Sequence, residues 1–141
     1  MARVKLVFPE KLHSTIKLSV RVTDINYGNH LGNNALVGLL HEARLLWLAK
    51  AGFTELNIGG AGLIMSDLAV EYKSQAYWNE NIDIAIACQN IERAAFEVYY
   101  QVSNEKNSVI AVAKTGMVCF NYTENKVVGI PDSFRDFLDN S

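Results

Sequence analysis

The stretch VRVTDINYGNHLGNNALVGLLHEARLLWLAKAGF, residues 20–53, joins a strand pattern to a long apolar helix pattern. The strand pattern begins upstream, where apolar and polar residues alternate strictly over TIKLSVRVT, residues 15–23. Strict alternation predicts a strand with one buried face. Because side chains on a strand alternate sides, extending the pattern by one residue places Asp24 on the apolar face.

The helix pattern extends from Asn33 to Ala51, and Asn33 or Asn34 is the expected N-cap. Gly52 is the expected stop, since glycine accepts the left-handed conformation that ends many helices. The predicted helix is apolar on almost every side, which is typical of a buried helix. Its polar interruptions are His41, Glu42, Arg44 and Lys50.

Four strand-like runs follow the helix, at 63–73, 81–88, 96–102 and 109–122. The connections YWNEN, IERA and SNEKNS are too short for parallel crossovers, so they predict hairpins in an antiparallel meander. Pro131 and Asp132 open a short C-terminal helix, PDSFRDFL. The pattern predicts an α+β fold in which one five-stranded antiparallel sheet wraps around one long buried helix. Such a single sheet would expose apolar surface, so we expect a homodimer or homotetramer.

Composition excludes several classes of protein. The net charge of −2 argues against a nucleic-acid partner, because proteins that bind nucleic acids usually carry a stripe of basic residues. Cys88 and Cys119 lie 31 residues apart, without the spacing of a metal site, and we expect two reduced, buried thiols. No apolar run suits a membrane span or a secretory signal, so we expect a cytoplasmic protein. We expect no metal, because no Cys or His spacing suits one, and no cofactor.

The order of elements and the stretch TDINYGNHLGNNALVGLLHEARLLWL resemble the hotdog-fold acyl-CoA thioesterases of the 4-hydroxybenzoyl-CoA thioesterase type. That family typically reads D-x-D-x-x-G-H-[VL]-x-N-x-x-Y, then E-x-x-R on the helix. Carried over without gaps, Asp24 and Asn26 take the two Asp positions, His30 takes the His, and Asn33 starts the helix. Glu42 and Arg44 resemble the charged pair of the helix. The resemblance extends from about residue 16 to 138 and implies one hotdog thioesterase-like domain over residues 1–141.

Three departures from the family pattern bear on mechanism. The usual nucleophile or general base is the second Asp, and Asn26 stands there. Asn29 replaces the Gly before His30, and WNEN replaces a Gly-Asp turn before the third strand. The residues DIN…H, Asp24 to His30, resemble a D-x-N-x-x-H-like variant of related acyl-carrier-protein thioesterases. The resemblance therefore implies a hydrolase acting on acyl-CoA or an acyl-carrier protein.

Thioester hydrolysis needs an activated water, a positive site for the oxyanion and a groove for the acyl group. Asn26 cannot be the base, so it would orient water or substrate, and Asp24, His30 or Glu42 would be the base. Burial would raise the pKa of Asp24, which suits a base. The alternatives are an Asx-turn for Asp24, a packed turn histidine for His30 and a subunit-interface or salt-bridged role for Glu42.

Backbone N–H groups near Leu31 to Asn33 are the expected oxyanion site, since the first amides of a helix lack partners. Tyr72 would line the acyl groove unless it only packs on the sheet. Lys73 and Arg93 would meet CoA phosphates unless they are simply solvated charges. The alternative function is a non-catalytic acyl-thioester binding module, because Asn26 stands where the family usually has its nucleophile or general base. A hotdog dehydratase is disfavoured, because no hydratase-type Asp/His or His/Glu pair is present.

Overall fold

The structure is a computed structural model that describes residues 3–140. Its elements, in chain order, are β1 (Ser14–Ser19), a short 3-10 helix (Val22–Asp24), α1 (Asn33–Lys50), β2 (Gly62–Tyr72), β3 (Asn81–Gln89), β4 (Ala95–Asn104), β5 (Val109–Asn121), β6 (Lys126–Val127) and α2 (Asp132–Asn140). The predicted long helix, the five predicted strands and the predicted C-terminal helix are all present. The two-residue β6 adds a short pairing to β5.

The strands form one antiparallel sheet in the order β1-β3-β4-β5-β2. Hairpins join β3, β4 and β5, as predicted. The predicted hairpin at YWNEN is wrong, because β2 pairs with β5 at one edge while β3 lies next to β1 near the other. The connection between β2 and β3 instead crosses past the start of α1, where Leu31 N–H donates to Ala76 O at 2.7 Å. Its eight residues, 73–80, reach roughly 26 Å when extended, against about 14 Å for three strand spacings.

One face of the sheet packs on α1 and forms the core. The strict alternation in β3 and β4 is confirmed, since Ile84, Ile86, Val98 and Tyr100 are fully buried. Each buried aliphatic side chain of this kind contributes about 1.5–3 kcal/mol relative to exposure. From α1 the buried apolar side chains are Leu36, Leu39, Leu40, Ala43, Trp47 and Leu48.

The two ends of α1 are closed differently. Gly32, not Asn33 or Asn34, is the N-cap, and no side chain caps this end. At the other end Gly52 adopts φ +82°, as predicted for the stop. Gly52 N–H donates to Ala49 O at 3.0 Å and Phe53 N–H to Leu48 O at 3.0 Å, which is the Schellman pattern. Backbone N–H groups therefore satisfy carbonyls at the end of α1, while no side chain satisfies the N–H groups at its start.

α2 closes the end of the core that lies farthest from the start of α1. Phe134 and Phe137 pack against Phe53, with ring centroids 5.1 and 5.4 Å away, and Phe137 lies 5.2 Å from Trp47. These aromatic contacts fill the core at the C-terminal end of α1. Among residues 3–140, no helix has both the length and the apolar character needed to cross a membrane.

The two cysteines are packing residues. Cys88 and Cys119 are buried, free thiols, as predicted. Burial raises the pKa of the Cys88 thiol strongly and that of Cys119 to about 11. Neither thiol is therefore ionised at neutral pH, which leaves both unreactive.

Candidate active site

Asp24 lies in a tight turn and not on a strand. β1 ends at Ser19, and the side chain expected to share the buried face, Val22, is 73% exposed. The prediction that strand parity continues to residue 24 is therefore wrong. Asp24 is nevertheless buried, at 5% exposure, because the 3-10 helix turns it inward.

Arg21 holds the Asp24 carboxylate in place. Arg21 donates from its backbone N–H to Oδ2 at 2.8 Å, from Nε to Oδ2 at 3.1 Å and from Nη2 to Oδ1 at 3.0 Å. Burial alone would raise the pKa of Asp24, but the hydrogen bonds and charge of Arg21 outweigh it and lower the pKa. The expectation of a raised pKa is wrong, and Asp24 is a weaker base than an ordinary carboxylate.

Residues 26–30 form a second tight turn. Asn29 N–H donates to Asn26 O at 3.1 Å, and Asn29 has φ +65°. Gly28 N–H donates to Asn26 Oδ1 at 2.9 Å, an Asx-turn. With its oxygen engaged, the Asn26 side chain has only its Nδ2 hydrogens left to offer, and they have no acceptor among residues 3–140.

His30 lies beside this turn. Its Nδ1 is 3.3 Å from Leu31 O, and a carbonyl can only accept, so the arrangement favours a proton on Nδ1. Nε2 is then the ring nitrogen that can accept a proton. A Cβ built on Gly28 would lie 3.2 Å from His30 Nε2 and 3.3 Å from Asn26 Oδ1, so both side chains flank this glycine.

The start of α1 supplies three unpaired amides. Leu31 N–H is not one of them, because it donates to Ala76 O, and Gly32 N–H donates to Asp24 O at 2.9 Å. Leu36 N–H makes the first bond of the helix, to Gly32 O. The N–H groups of Asn33, Asn34 and Ala35 have no partner within residues 3–140. The predicted oxyanion site comprised the amides near Leu31 to Asn33. Of these three amides, that of Asn33 is free within residues 3–140.

Two depressions meet at the start of α1. The first, here called the turn groove, has a volume of about 700 Å³ and is lined by Arg21, Asp24, Asn26, Asn33, Asn34, Ala35 and Gly38, among others. The second, here called the Tyr72 cavity, has about 180 Å³ and includes His30, Leu31, Asn33, Tyr72, Ala76 and Ile110. Asn33 lines both. The structure therefore brings Asp24 and Asn26 to one side of Asn33, and His30 and Tyr72 to the other.

The predicted substrate-binding residues are divided between the two ends of the sheet. Tyr72 OH donates to Asn33 O at 3.1 Å, and burial raises the pKa of Tyr72. Lys73 follows Tyr72 directly and pairs loosely with Glu71, 3.5 Å away. Arg93 lies at the opposite end, beside α2, where its carbonyl accepts from Ile130 N–H. Eight positions along β5 separate these two ends, roughly 27 Å.

Glu42 is exposed on α1 and makes no hydrogen bond or ion pair within the described residues 3–140. Hydrogen bonding and charge from Asp24 raise the pKa of Arg21, and the charge of Glu42 adds to this effect. Glu42 therefore lies on the side of α1 that faces Arg21. It is four residues after Gly38, so both are on the face that borders the turn groove.

A charged network around the buried Arg44 lies behind this face, and sequence reasoning missed it. Arg44 Nε donates to Glu55 Oε2 at 2.7 Å, and Arg44 Nη1 donates to Tyr100 OH at 2.8 Å. Glu55 Oε1 lies 2.7 Å from His41 Nε2, and Tyr100 OH lies 2.8 Å from Thr115 Oγ1. Burial opposes the charge on Glu55, but Arg44 and His41 outweigh it and lower its pKa. An arginine on the buried side of an apolar helix was the available signal, since such a charge requires a partner.

An antiparallel sheet around one helix, with unpaired amides beside an Asp-Asn-His turn, defines a hotdog thioesterase-like architecture. The model of the thioesterase-like superfamily matches residues 20–138. The chain belongs to this superfamily, and by class it is a thioester hydrolase.

Solved structures agree with this fold. A 1,4-dihydroxy-2-naphthoyl-CoA thioesterase from Synechocystis matches with TM-score 0.82 and 20% identity, over 89% of this chain and 95% of that one. A Staphylococcus aureus protein in complex with CoA matches with TM-score 0.82 and 12% identity, over 96% and 86%. A gentisyl-coenzyme A thioesterase matches with TM-score 0.76 and 18% identity, over 86% and 99%. A search of curated proteins found no match.

Proposed function

We propose that this protein hydrolyses acyl-CoA thioesters at the start of α1, where the turn groove and the Tyr72 cavity meet at Asn33. The observation that carries the proposal is the set of three unpaired amides, on Asn33, Asn34 and Ala35, next to the free Nδ2 of Asn26. Donors aimed at one region are what a developing oxyanion requires, and the helix dipole adds to their effect.

Each residue of the turn has a role in this mechanism. The amides of α1 and Asn26 Nδ2 hold the thioester carbonyl oxygen. His30 Nε2 takes a proton from water, and the water oxygen adds to the carbonyl carbon. When the C–S bond breaks, His30 returns the proton to the departing thiolate. Asp24, held by Arg21, positions the loop through its carbonyl bond to Gly32 N–H and does not transfer the proton.

Coenzyme A is the thiol carrier we favour over an acyl-carrier protein. The similar solved structures include two proteins named as CoA thioesterases and one in complex with CoA. Lys73 is the predicted phosphate contact that lies near the Tyr72 cavity. Arg93, at the other end of the sheet, remains a prediction for a separate part of the ligand.

A panel of acyl-CoA substrates with thiol detection tests the proposal. The wild-type protein should release CoA from at least one of them, and His30→Ala should lower kcat/KM by about 10²–10⁴-fold. Asp24→Ala combined with His30→Ala should abolish activity, and Glu42→Gln should retain it. Lys17→Ala, in an exposed ion pair with Asp83, is the control. Full activity in the double variant would contradict the assigned residues.

A non-catalytic acyl-thioester binding module is the second candidate. Two observations favour it: Asn26 cannot titrate, and both oxygens of Asp24 are already occupied by Arg21. Calorimetry with a non-hydrolysable acyl-CoA analogue, run beside the turnover panel, separates the two functions. Tight binding without turnover on any substrate would establish the binding module.

We also propose that the protein forms a homodimer or homotetramer through the outer edge of β2. Within residues 3–140 this edge strand pairs only with β5, and it carries exposed apolar side chains, including Ile64, Met65 and Leu68. An unpaired edge of this kind is suited to pairing with a second copy about a two-fold axis. Sedimentation at micromolar concentration should give at least a dimer, and a clean monomer would contradict the proposal.

A further inference from the structure

Residues 3–13, here called the arm, precede the stretch that the family model matches. The arm contains no helix or strand, but it is bonded to the sheet at two places. Leu6 N–H donates to Glu71 Oε1 at 3.0 Å, on the edge strand β2. His13 Nδ1 accepts from Cys88 N–H at 3.1 Å, near the end of β3. The arm is therefore a fixed part of the folded chain, joined to two strands that do not pair with each other.

The arm crosses the outer face of the sheet, the face turned away from α1. Ala87 and Val112 belong to this face by strand alternation, yet they are only 0% and 3% exposed. The path of the arm accounts for their burial, because Val112 pairs with Glu71, where Leu6 is bonded. The chain from Leu6 to His13 can span roughly 23 Å, against about 16 Å for three strand spacings and two positions along a strand.

Glu71 holds the arm by one carboxylate oxygen and faces a lysine with the other. Oε1 accepts from Leu6 N–H, and Oε2 lies 3.5 Å from Lys73 Nζ. The hydrogen bond from Leu6 lowers the pKa of Glu71 most, and the charges of Lys73 and Arg3 lower it further. Arg3 is therefore close enough to Glu71 for its charge to act there, which places it on the same side of the sheet as Lys73.

The arm makes this end of the sheet positive, although the whole chain has a net charge of −2. Arg3, Lys5 and Lys73, here called the basic patch, carry three positive charges against the negative charge of Glu71. Arg3 and Lys5 are exposed, and the side chain of Lys73 is 42% exposed. The distance of 3.5 Å between Lys73 and Glu71 exceeds that of a charge-assisted hydrogen bond, so the ammonium of Lys73 can still bind an anion.

The basic patch is connected to the candidate site through Tyr72. This residue lies between Glu71 and Lys73, and its OH donates to Asn33 O at 3.1 Å. Tyr72 therefore faces α1, while its neighbours face outward. A ligand that reaches from the free amide of Asn33 to the basic patch must be long and must end in an anion. A thioester of coenzyme A has this form, since a pantetheine chain separates its sulfur from its phosphates.

The basic patch also lies apart from the apolar side chains that we assign to a second copy. Met65 and Leu68 line a pocket beside α1, on the inner side of the sheet. Glu71, to which the arm is bonded, pairs with Val112 on the outer face. The arm and the second copy therefore do not compete for the same side chains.

We propose that the arm completes a phosphate-binding site in which Arg3 and Lys73 bind the phosphates of coenzyme A. Leu6 is a positioning residue of this site, because its N–H bond to Glu71 holds Arg3 near Lys73. The inference rests on the proposed thioesterase function and deepens it, since it names the carrier that the chain recognises. A thiol without the nucleotide phosphates gains nothing from the arm.

Calorimetry with CoA and with pantetheine, which lacks the phosphates, tests the site. Arg3→Gln and Lys73→Gln should each weaken CoA binding about three- to fivefold, the upper part of the range for exposed ion pairs. Neither substitution should change the affinity for pantetheine. Lys106→Gln, at an exposed position of the turn between β4 and β5, is the control for net charge and should bind CoA like the wild type.

Leu6→Pro tests the arm without changing any charge. Proline has no N–H, so the bond to Glu71 is lost and CoA binding should weaken as much as in Arg3→Gln. Adding Arg3→Gln to Leu6→Pro should then weaken binding no further, because the two substitutions remove the same contact. Val7→Pro is the matched control, since Val7 is exposed and its N–H makes no bond within residues 3–140.

The outcomes separate this inference from the proposed function. Absence of thiol release from every acyl-CoA would defeat the proposed function, while the binding comparison would still decide the role of the arm. With each variant folded by its Tm, an unchanged CoA affinity in Arg3→Gln would overturn the inference. Equal losses for CoA and pantetheine in Leu6→Pro would do the same, as would a further loss in the double variant or a wild-type chain that binds no CoA.

Discussion

Arg21 donates to both carboxylate oxygens of Asp24, from Nε to Oδ2 at 3.1 Å and from Nη2 to Oδ1 at 3.0 Å. The pair decides what Asp24 can do, because it favours the ionised form. Asp24 is thereby better suited to holding the loop between β1 and α1 than to accepting a proton.

Asp24→Asn should lower the free energy of unfolding by about 1 kcal/mol at pH 7, a small value because Arg21 is largely exposed. The pKa of Asp24 is lowered on folding, so its contribution is complete above the unfolded value of about 3.9 and is lost as pH falls through the folded pKa. Urea unfolding from pH 7 to pH 2 should show the two proteins converging below about pH 4. Asp83→Asn, in an exposed pair with Lys17, is the control.

Asn26→Ala should lower kcat by about 10²-fold, since it removes a donor to the carbonyl oxygen and releases Gly28 N–H. Asn26→Asp keeps the acceptor for Gly28 and should fold with an unchanged Tm, but it lacks the donor and places a negative charge beside the developing oxyanion, so it should be no more active than the alanine variant. Steady-state kinetics on the best substrate of the panel provides the comparison. Wild-type rates in Asn26→Ala would remove this residue from the mechanism.

Arg44→Met should destabilise the protein by about 3–4 kcal/mol, because it leaves Glu55 and Tyr100 without their shared donor. Adding Glu55→Gln should recover part of the loss, since no unpaired charge remains. Urea unfolding of both single variants and the double variant gives the coupling energy. Lys17→Met, which breaks an exposed pair, should cost less than about 1 kcal/mol, and an equal cost would show that the network is not structural.

Gly52→Ala should lower stability by about 1–2 kcal/mol, because alanine is strained at φ +82°. The same substitution at Gly38, where the backbone is ordinary, should act in the opposite direction. Thermal unfolding of the two variants side by side checks both signs. A Gly52→Ala protein as stable as the wild type would mean that the Schellman closure contributes nothing.

The sequence predicted those parts of the fold that depend on local periodicity. Ile84 and Val98 are buried because alternation in a strand fixes which side chains face the helix. Gly52 ends α1 because few other residues accept its conformation. Such features depend on neighbours in the chain, so a single sequence contains them.

Pairing over long distances could not be predicted in this way. The turn at YWNEN exists, with Glu80 N–H donating to Tyr77 O and φ +67° at Asn79. It leads into β3 from a crossover and not from a hairpin, because Asn79 N–H donates to Val20 O beside β1. A hairpin and a crossover can contain the same local turn, so the turn sequence does not distinguish them. What distinguishes them is the strand that pairs with β2, which here is β5 and not β3.

The sequence predicted which of the candidate side chains lie together, but not the electrostatics around them, and their roles stay predictions. Asp24, Asn26, His30 and Asn33 do gather at the start of α1. The carboxylate was expected to be desolvated and basic, but Arg21, three residues earlier, reverses the sign of the shift. Side-chain geometry within a tight turn decides that sign, and no spacing rule reports it.

The bond from Leu31 N–H to Ala76 O joins residues 45 positions apart, across the connection between β2 and β3. Amide hydrogen exchange at Leu31 should therefore be slow, because opening it requires release of a crossover that depends on the whole sheet. Exchange at Asn33, Asn34 and Ala35 should be fast, since nothing holds their hydrogens. Adjacent amides would thus report two different events: unfolding of the domain at Leu31, and arrival of a ligand at Asn33.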